Sequence, residues 1–220
     1  MLTVLTWWWG QKYGPEYVYR LKAGLERHLK QPHRFLCVTD RELEGVETTP
    51  IKDPGLTKHP GCIVRLRIFD EVWQRDIGAT DRIVCMDLDS IVTGPLDPLF
   101  DREEPFIILQ GVNSPTHPCP YNGSIFMLRA GYRPDVWDDF TLEKLDRIPR
   151  LEFPDDQGWM HAMIPDAAAY RSADGVYAFQ KLGWPGGDVP PLDARLVAFP
   201  GRRDPAQFTH LKWVREHWRE

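Results

Sequence analysis

Residues 82–100 constrain this chain most, because an apolar run there ends in two closely spaced acids. Ile83 to Met86 are four consecutive apolar residues, a pattern typical of a buried strand. Asp87 and Asp89 follow, and side chains two apart on an extended chain point the same way. An isolated carboxylate is very costly to bury, so the pair needs a cation. Mg²⁺ and Mn²⁺ prefer oxygen ligands and take one or two carboxylates beside waters and phosphate.

The same two acids also fit a simpler interpretation. A lone D-x-D sequence is more often a solvated turn or a cap for the next element than a metal site. The features that accompany the pair along the chain therefore decide between the two interpretations.

The first half of the chain has the alternation of a parallel α/β sheet. A strand over Leu2–Trp8, a helix from Pro15 to about residue 29 and a strand over residues 34–39 form a strand–helix–strand unit. Further strands are predicted over residues 106–109, 124–128 and 195–199. Helices are predicted over residues 63–74, 134–145, 156–164 and 205–218, and a short turn of helix over 96–100. Residues 48–62 are predicted to form a loop. We expect one α/β domain over residues 1–220: a mostly parallel, Rossmann-like sheet flanked by helices, with a smaller antiparallel section.

Composition excludes several classes of protein. A net charge of −5 argues against a nucleic-acid partner bound through a general basic field. No segment approaches the roughly 20 apolar residues of a membrane-spanning helix. The amino terminus lacks the features of a secretory signal. The four cysteines are widely spaced and do not indicate a disulfide framework, so we expect a cytoplasmic protein.

Nine tryptophans are the unusual feature of the composition. Aromatic faces suit sugars and nucleobases, but packing in the core is the favoured role for any one of them. The carboxyl-terminal segment holds Trp213, Arg215, Trp218 and Arg219, which suit a peripheral membrane contact. Packing of one helix face against the domain is the favoured interpretation there too.

Three later clusters carry polar groups beside predicted strands or helices. Residues 121–124 place Asn122 at a turn before an apolar strand. Residues 155–157 open a helix, where acids commonly cap free N–H groups. Gly201, Arg202 and Arg203 follow the last strand and suit a phosphate, with a solvated basic turn as the alternative.

Taken in chain order, these blocks resemble the GT-A-fold glycosyltransferases of the glycogenin and lipopolysaccharide-galactosyltransferase group, and its compact bacterial members above all. The resemblance rests on WGQKYGPEYVYRLKAGLERHL, RFLCVTD, DLDSIVTGPLDPLF, YNGSIFMLRAG, DQGW and FPGRRDP, and it runs from about residue 2 to about residue 218. It implies a GT-A-like fold with a nucleotide-binding half over about 1–100 and an acceptor and sugar half over about 101–220. It also implies a UDP-sugar donor, a divalent metal ion, a saccharide acceptor and retention at the anomeric carbon.

The resemblance assigns roles to individual residues. Asp87 and Asp89 would be metal ligands, and Asp156 and Gln157 would be the catalytic pair. Donor-binding roles fall on Thr6, Trp8, Tyr13, Arg65, Asp87 and Asn122, joined by Gly201, Arg202 and Arg203. Gln157 is a poor nucleophile, so we expect front-face attack, with Gln157 supporting the developing cation. We expect the acceptor to be recognised by residues 111–120 and 183–193.

The chain departs from the family pattern at two positions. Relatives carry a histidine as third metal ligand where this chain has Ala198, Phe199 and Pro200. The lysine that follows in relatives is replaced by Asp204, and His210 is the nearest histidine in the sequence. Two other functions remain open: a catalytically degenerate nucleotide-sugar-binding module and a sugar nucleotidyltransferase. The latter would need a lysine-containing, glycine-rich loop after the first strand. The sequence predicts neither the sugar nor the oligomeric state.

Overall fold

The computed structural model of the protein describes residues 1–148 and 155–220. Its strands are β1 Leu2–Trp8, β2 His33–Thr39, β3 Glu47–Thr49, β4 Arg82–Met86, β5 Ser90–Val92, β6 Phe106–Gln110, β7 Tyr121–Arg129, β8 Ala168–Tyr170, β9 Val176–Ala178 and β10 Leu196–Ala198. Its α-helices are α1 Pro15–His28, α2 Glu71–Asp76, α3 Asp97–Phe100, α4 Asp135–Asp138, α5 Leu142–Asp146, α6 Asp156–Met163 and α7 Lys212–His217. Short 3₁₀ helices cover Leu56–Lys58, Ile63–Phe69, Ser172–Asp174 and Pro205–Phe208.

The main sheet has seven strands in the order β3-β2-β1-β4-β7-β6-β8. Every neighbouring pair is parallel except the two that involve β7, which runs antiparallel to β4 and β6. The carboxyl ends of β1, β4, β6 and β8 therefore meet the amino end of β7 at one edge. A second sheet of three strands, in the order β5-β10-β9, mixes antiparallel and parallel pairs. The predicted α/β fold with a mostly parallel sheet and a smaller section is confirmed.

Buried side chains pack on both faces of the main sheet. The apolar stripe of α1, with Val18, Leu21 and Leu25, is buried against one face. Gly24 lets α1 approach β5 closely, because a Cβ atom there would lie 3.2 Å from Val92. The main sheet, whose edge carries the polar residues, thus lies between two apolar layers.

Three helices predicted from the sequence are each divided into two shorter helices in the structure. The single helix predicted over 63–74 is wrong: a 3₁₀ helix ends at Phe69, and Asp70 starts α2 by accepting hydrogen bonds from the N–H groups of Val72 and Trp73. The helix predicted over 134–145 divides in the same way, because Thr141 caps α5. The helix predicted over 205–218 divides into the 3₁₀ helix Pro205–Phe208 and α7.

The strand predicted over 124–128 begins three residues earlier. Tyr121 and Asn122 lie inside β7, paired with Gln110 and Leu109 of β6, so the turn predicted for them is wrong. A bulge between Ile108 and Leu109 accommodates this extension.

The carboxyl-terminal tryptophans are buried against the rest of the molecule. Trp218 packs edge-on against Tyr17 of α1, with ring centroids 5.0 Å apart, and Trp213 is also buried. This packing leaves little aromatic surface for a membrane contact. Within residues 1–148 and 155–220, no helix has the length and apolar character needed to cross a bilayer.

Candidate active site

A cavity of about 500 Å³ opens where β1 and β4 end and β7 begins. It is lined by Trp7, Trp9, Gly10, Gln11, Lys12, Tyr13, Gly61, Cys62, Arg65, Asp87, Leu88, Asp89, Asn122, Gly123, Ser124, Asp155, Asp156, Gln157, Pro200 and Gly201. Backbone hydrogen bonds fix the D-x-D segment on both sides: the Asp87 N–H donates to Ser124 O (2.9 Å), and the Phe199 N–H donates to Asp89 O (3.2 Å). The polar edge of the sheet therefore forms the floor of the cavity.

Arg65 connects two acids and one backbone carbonyl from distant parts of the chain. Its side chain is 5% exposed; Nε donates to Asp156 Oδ2 (2.9 Å), and Nη2 lies 2.6 Å from the same oxygen. Nη1 donates to Gly123 O (3.0 Å) and pairs with Asp87. Gly123 has no room for a side chain, because a Cβ atom there would overlap Arg65 Nη2. A single buried guanidinium thus compensates two of the acids of the cavity.

Asp89 is buried, with 6% of its surface exposed, and forms no ion pair with a basic residue in 1–148 or 155–220. The Tyr13 hydroxyl donates to Asp89 Oδ2 at 2.6 Å. Burial and the neighbouring charge of Asp87 raise the pKa of Asp89 to about 7. Burial and Asp89 also raise the pKa of Tyr13, so its hydroxyl stays protonated as a donor. Asp89 is therefore held in a geometry that a cation would stabilise.

Asp155 and Asp156 have different roles at the start of α6. Asp155 is the cap: its Oδ1 accepts from the Gly158 N–H at 2.7 Å. Asp156 is fully buried, and its Oδ1 has no hydrogen-bond partner among the described residues. Burial raises the pKa of Asp156 to about 7, although Arg65 acts in the opposite direction. The capping interpretation thus applies to Asp155 and not to Asp156.

Hydrogen bonds to the backbone and to Asp155 orient the side-chain amides of Gln157 and Asn122. The Gly123 N–H donates to Gln157 Oε1 (2.8 Å), and Gln157 Nε2 donates to Asp155 Oδ2 (3.0 Å). Asn122 Oδ1 accepts from the Ser124 N–H (3.1 Å). Both side chains line the cavity in one defined orientation.

Four of the sequence-predicted residues do not line the cavity. Thr6 is completely buried and donates to Met86 O (2.9 Å), which ties β1 to β4. Trp8 packs in the core and donates from Nε1 to Tyr13 O (2.8 Å). Arg202 is exposed outside the cavity, and Arg203 donates to Gln180 O (3.2 Å). Gly201 is the one member of its cluster that reaches the lining.

Sequence reasoning missed Trp7, Trp9 and Lys12, which do line the cavity. Successive side chains of β1 face opposite sides of the sheet, so the tryptophans on either side of Trp8 point away from it. Lys12 lies over the ring of Tyr13, with Nζ 4.5 Å from the centroid.

The residues present fit a divalent ion for which the protein supplies only some of the ligands. Asp87 and Asp89 supply two hard oxygen donors, and burial together with the charge of Asp87 raises the pKa of Asp89, so a cation bound there would stabilise the ionised carboxylate. No group of three His, Cys, Asp or Glu residues arranged to hold a metal occurs in residues 1–148 and 155–220. Asp204 caps a 3₁₀ helix and accepts from the Tyr17 hydroxyl (2.6 Å), while His210 is exposed beside Phe208. Waters and a bound phosphate would have to complete the coordination.

No protein-family model matches the chain, and a search of curated proteins finds no match. Solved structures do match: an active-site mutant of LgtC has a TM-score of 0.63 and 11% identity over 93% of this chain and 89% of that chain. The galactosyltransferase LgtC in complex with donor and acceptor sugar analogs has a TM-score of 0.62 and 12% identity over 99% and 96% of the two chains. At these identities the likeness shows the fold, which is GT-A-like, as expected from the sequence.

Proposed function

We propose that this chain is a metal-dependent glycosyltransferase that moves a sugar from a UDP-sugar to a saccharide acceptor with retention. One observation carries the proposal: the acids of the D-x-D segment share a cavity with Asn122, Asp156 and Gln157, on the fold of a galactosyltransferase. LgtC has been solved with donor and acceptor sugar analogs, which supports the same two kinds of partner here. The glycogenin and lipopolysaccharide-galactosyltransferase group is its proposed affiliation.

Asp87 and Asp89 would hold the metal ion. When bound, the ion supplies positive charge for the diphosphate that leaves as the glycosidic bond breaks. Asp89 is the firmer ligand, because Asp87 is already paired with Arg65. Tyr13 fixes Asp89 Oδ2 and leaves the other carboxylate oxygen for the ion.

Arg65 acts through its neighbours in this proposal. Its guanidinium is occupied by Asp87, Asp156 and Gly123 O, so it positions the acids and does not bind phosphate itself. Lys12 also lines the cavity, from the loop after β1, and forms no ion pair with a carboxylate in the described part of the chain, so its ammonium group would meet the diphosphate. The nucleotide therefore lies on the side of the half over about 1–100, and the sugar toward the half over about 101–220.

Asp156 and Gln157 would face the anomeric carbon. A double displacement needs a carboxylate that is free to attack, as in retaining glycosidases. Asp156 is completely buried and ion-paired with Arg65, and Gln157 is an amide held by Gly123. These contacts support front-face attack, in which Gln157 Oε1 stabilises positive charge on the sugar ring.

Hydrolysis and transfer assays test this proposal directly. UDP-glucose, UDP-galactose and their N-acetyl counterparts are incubated with the protein and Mn²⁺, and UDP release is measured with and without oligosaccharide acceptors. We expect release with at least one donor, loss of release in Asp89→Asn, and no loss in the exposed control Asp101→Asn. Retention is read from the anomeric proton coupling of the product. UDP binding without release from any donor would contradict the enzymatic proposal.

A further inference from the structure

A second cavity, of about 120 Å³, lies at the carboxyl ends of β6 and β8. Its lining includes Gln110 at the end of β6 and Gly111 after it, Arg171 and Ser172 after β8, and Leu182 and Gly183. The two segments that the sequence suggested for acceptor recognition, 111–120 and 183–193, thus meet at one place. Among the residues that the structure describes, none lines both this cavity and the candidate active site.

Strand register places this cavity beside the candidate active site. Leu109 of β6 is opposite both Asn122 of β7 and Tyr170 of β8. Asn122 lines the first cavity, and Arg171 directly follows Tyr170. Neighbouring strands are spaced by about 4.8 Å, so the two cavities are offset by about 10 Å along one edge of the sheet. An extended ligand can reach both.

Arg171 is the one charged residue that the structure places in the lining of the second cavity. Its side chain is exposed, and no carboxylate of residues 1–148 and 155–220 forms an ion pair with its guanidinium. The nearest acid in sequence, Asp174, is taken by Arg102 (Nη1–Oδ1 3.3 Å) and by the backbone N–H of Arg171 (2.9 Å). The guanidinium fork of Arg171 therefore remains available for an anion.

Two glycines keep the approach to Arg171 open. Both have positive φ, +80° at Gly111 and +83° at Gly183, where L side chains are rarely found. A Cβ atom at Gly111 would lie 3.6 Å from Arg171 Nη1, and one at Gly183 would lie 3.8 Å from Gly111 O. A side chain at Gly111 would contact the guanidinium, and one at Gly183 would contact the Gly111 backbone beside it.

The two cavities differ in the sign of their charge. The first contains Asp87, Asp89, Asp155 and Asp156, whereas the lining described for the second has a cation and no acid. We propose that the second cavity binds a carboxylate or phosphate group of the acceptor saccharide, an inference that rests on the proposed function. The acceptor then presents a neutral hydroxyl to the first cavity and an anionic group about 10 Å away, the separation of the cavities along the sheet edge.

Binding of defined probes tests the proposal without requiring activity. Backbone amide shifts of Gly111, Ser172 and Gly183 are followed by NMR during titration with cellobiose, cellobiouronic acid, cellobiose 1-phosphate and inorganic phosphate. We expect shifts with one or both charged disaccharides, at least about 10-fold weaker binding of neutral cellobiose, and loss of this preference in Arg171→Gln. Arg171→Lys restores part of it, and the exposed control Arg75→Gln leaves it intact.

Three results would overturn the proposal: no shifts with either charged disaccharide, an unchanged preference in Arg171→Gln, or equal binding of inorganic phosphate, which would mark a general anion site only. Amide shifts of Asn122 and Gln157 on addition of UDP and the diamagnetic ion Mg²⁺ are measured in the same samples. They report on the first cavity, so failure of the acceptor proposal and failure of the proposed function are distinguished.

Discussion

At the scale of single residues, the candidate site is an arrangement of acids that are held by unequal partners. Asp156 and Asp87 share the buried guanidinium of Arg65, whereas the hydrogen bond described for the Asp89 side chain comes from the hydroxyl of Tyr13. A hydroxyl stabilises a carboxylate much less than a full positive charge does. Asp89 is therefore a buried acid with no ion pair to a residue in 1–148 or 155–220, and a cation bound beside it would stabilise its charge.

This imbalance predicts that Asp89→Asn stabilises the metal-free protein at high pH. The carboxyl has a pKa of about 7 when folded and about 3.8 when unfolded, so its charge disfavours the folded state increasingly from about pH 4 to pH 7. The difference corresponds to at most about 4 kcal/mol. Thermal unfolding with EDTA should show a higher Tm for Asp89→Asn at pH 8, and a much smaller gain at pH 4.5.

The exposed Asp101→Asn is the control and should show neither effect. A lower Tm of Asp89→Asn at pH 8 would mean that Asp89 is well compensated in the folded protein. The cation would then have no unbalanced charge to neutralise.

Tyr13 provides a second prediction at this scale. Tyr13→Phe removes the hydroxyl that orients Asp89 Oδ2 and leaves the ring, which contacts Tyr17 with centroids 4.6 Å apart. Loss of a partner that orients a metal ligand costs about 10-fold in metal affinity, so Mn²⁺ binding measured by the electron paramagnetic resonance of free Mn²⁺ should weaken by that factor. The half-buried Tyr19→Phe should bind as the wild type does; equal affinities of all three proteins would refute the role.

At the scale of secondary-structure elements, the 3₁₀ helix Ile63–Phe69 is central because it supplies Arg65. We expect Arg65→Gln to lower the free energy of unfolding by about 3–5 kcal/mol, since it leaves two acids without their buried partner. Urea denaturation measures the change. Arg75→Gln, which breaks an exposed pair with Glu71, should cost no more than about 0.5 kcal/mol. A similarly small cost at Arg65 would show that the acids do not depend on it.

The elements also show what the sequence can and cannot predict. α1 was predicted closely from its apolar stripe at helical spacing, and β4 from its continuous apolar run. Strands of three residues such as Ser90–Val92 and Val176–Ala178 are too short to show alternation. The nearly continuous apolar run of Ile63–Phe69 hides the change from a 3₁₀ helix to α2 at Asp70.

The candidate site follows the same logic. The acids after β4 are readable because a strand end has a defined position in an α/β sheet. Three consecutive tryptophans, Trp7 to Trp9, do not reveal which of them face the site. The side chains of β1 alternate between the two faces of the sheet, and which of them face the site depends on how β1 pairs with β4. Arg65 and Asp156 are 91 residues apart, and only the folded chain brings them together.

At the scale of the whole molecule, the carboxyl-terminal segment closes against α1. Arg27 donates to the carbonyl oxygens of His217 (2.9 Å) and Arg219 (3.0 Å), and Arg20 lies over the Trp218 ring at 4.0 Å. This arrangement buries the aromatic groups that a peripheral membrane contact would need. The carboxyl-terminal segment thus packs against and stabilises α1, which follows the loop that contains Tyr13.

We therefore expect no co-sedimentation of the protein with vesicles of anionic phospholipid. Trp218→Ala should lower the free energy of unfolding by about 3 kcal/mol, because it empties a buried site. Vesicle binding of the wild type that is lost in Trp218→Ala would contradict this and favour the membrane interpretation.

The central claim is that Asp87 and Asp89 bind a cation together with a nucleoside diphosphate. Isothermal titration of UDP into the protein, with Mn²⁺ and then with EDTA, tests it most directly. The account predicts that UDP binds much more tightly with Mn²⁺ and that Asp89→Asn abolishes this difference. Equal UDP affinity with and without Mn²⁺, or an unchanged Mn²⁺ effect in Asp89→Asn, would contradict it.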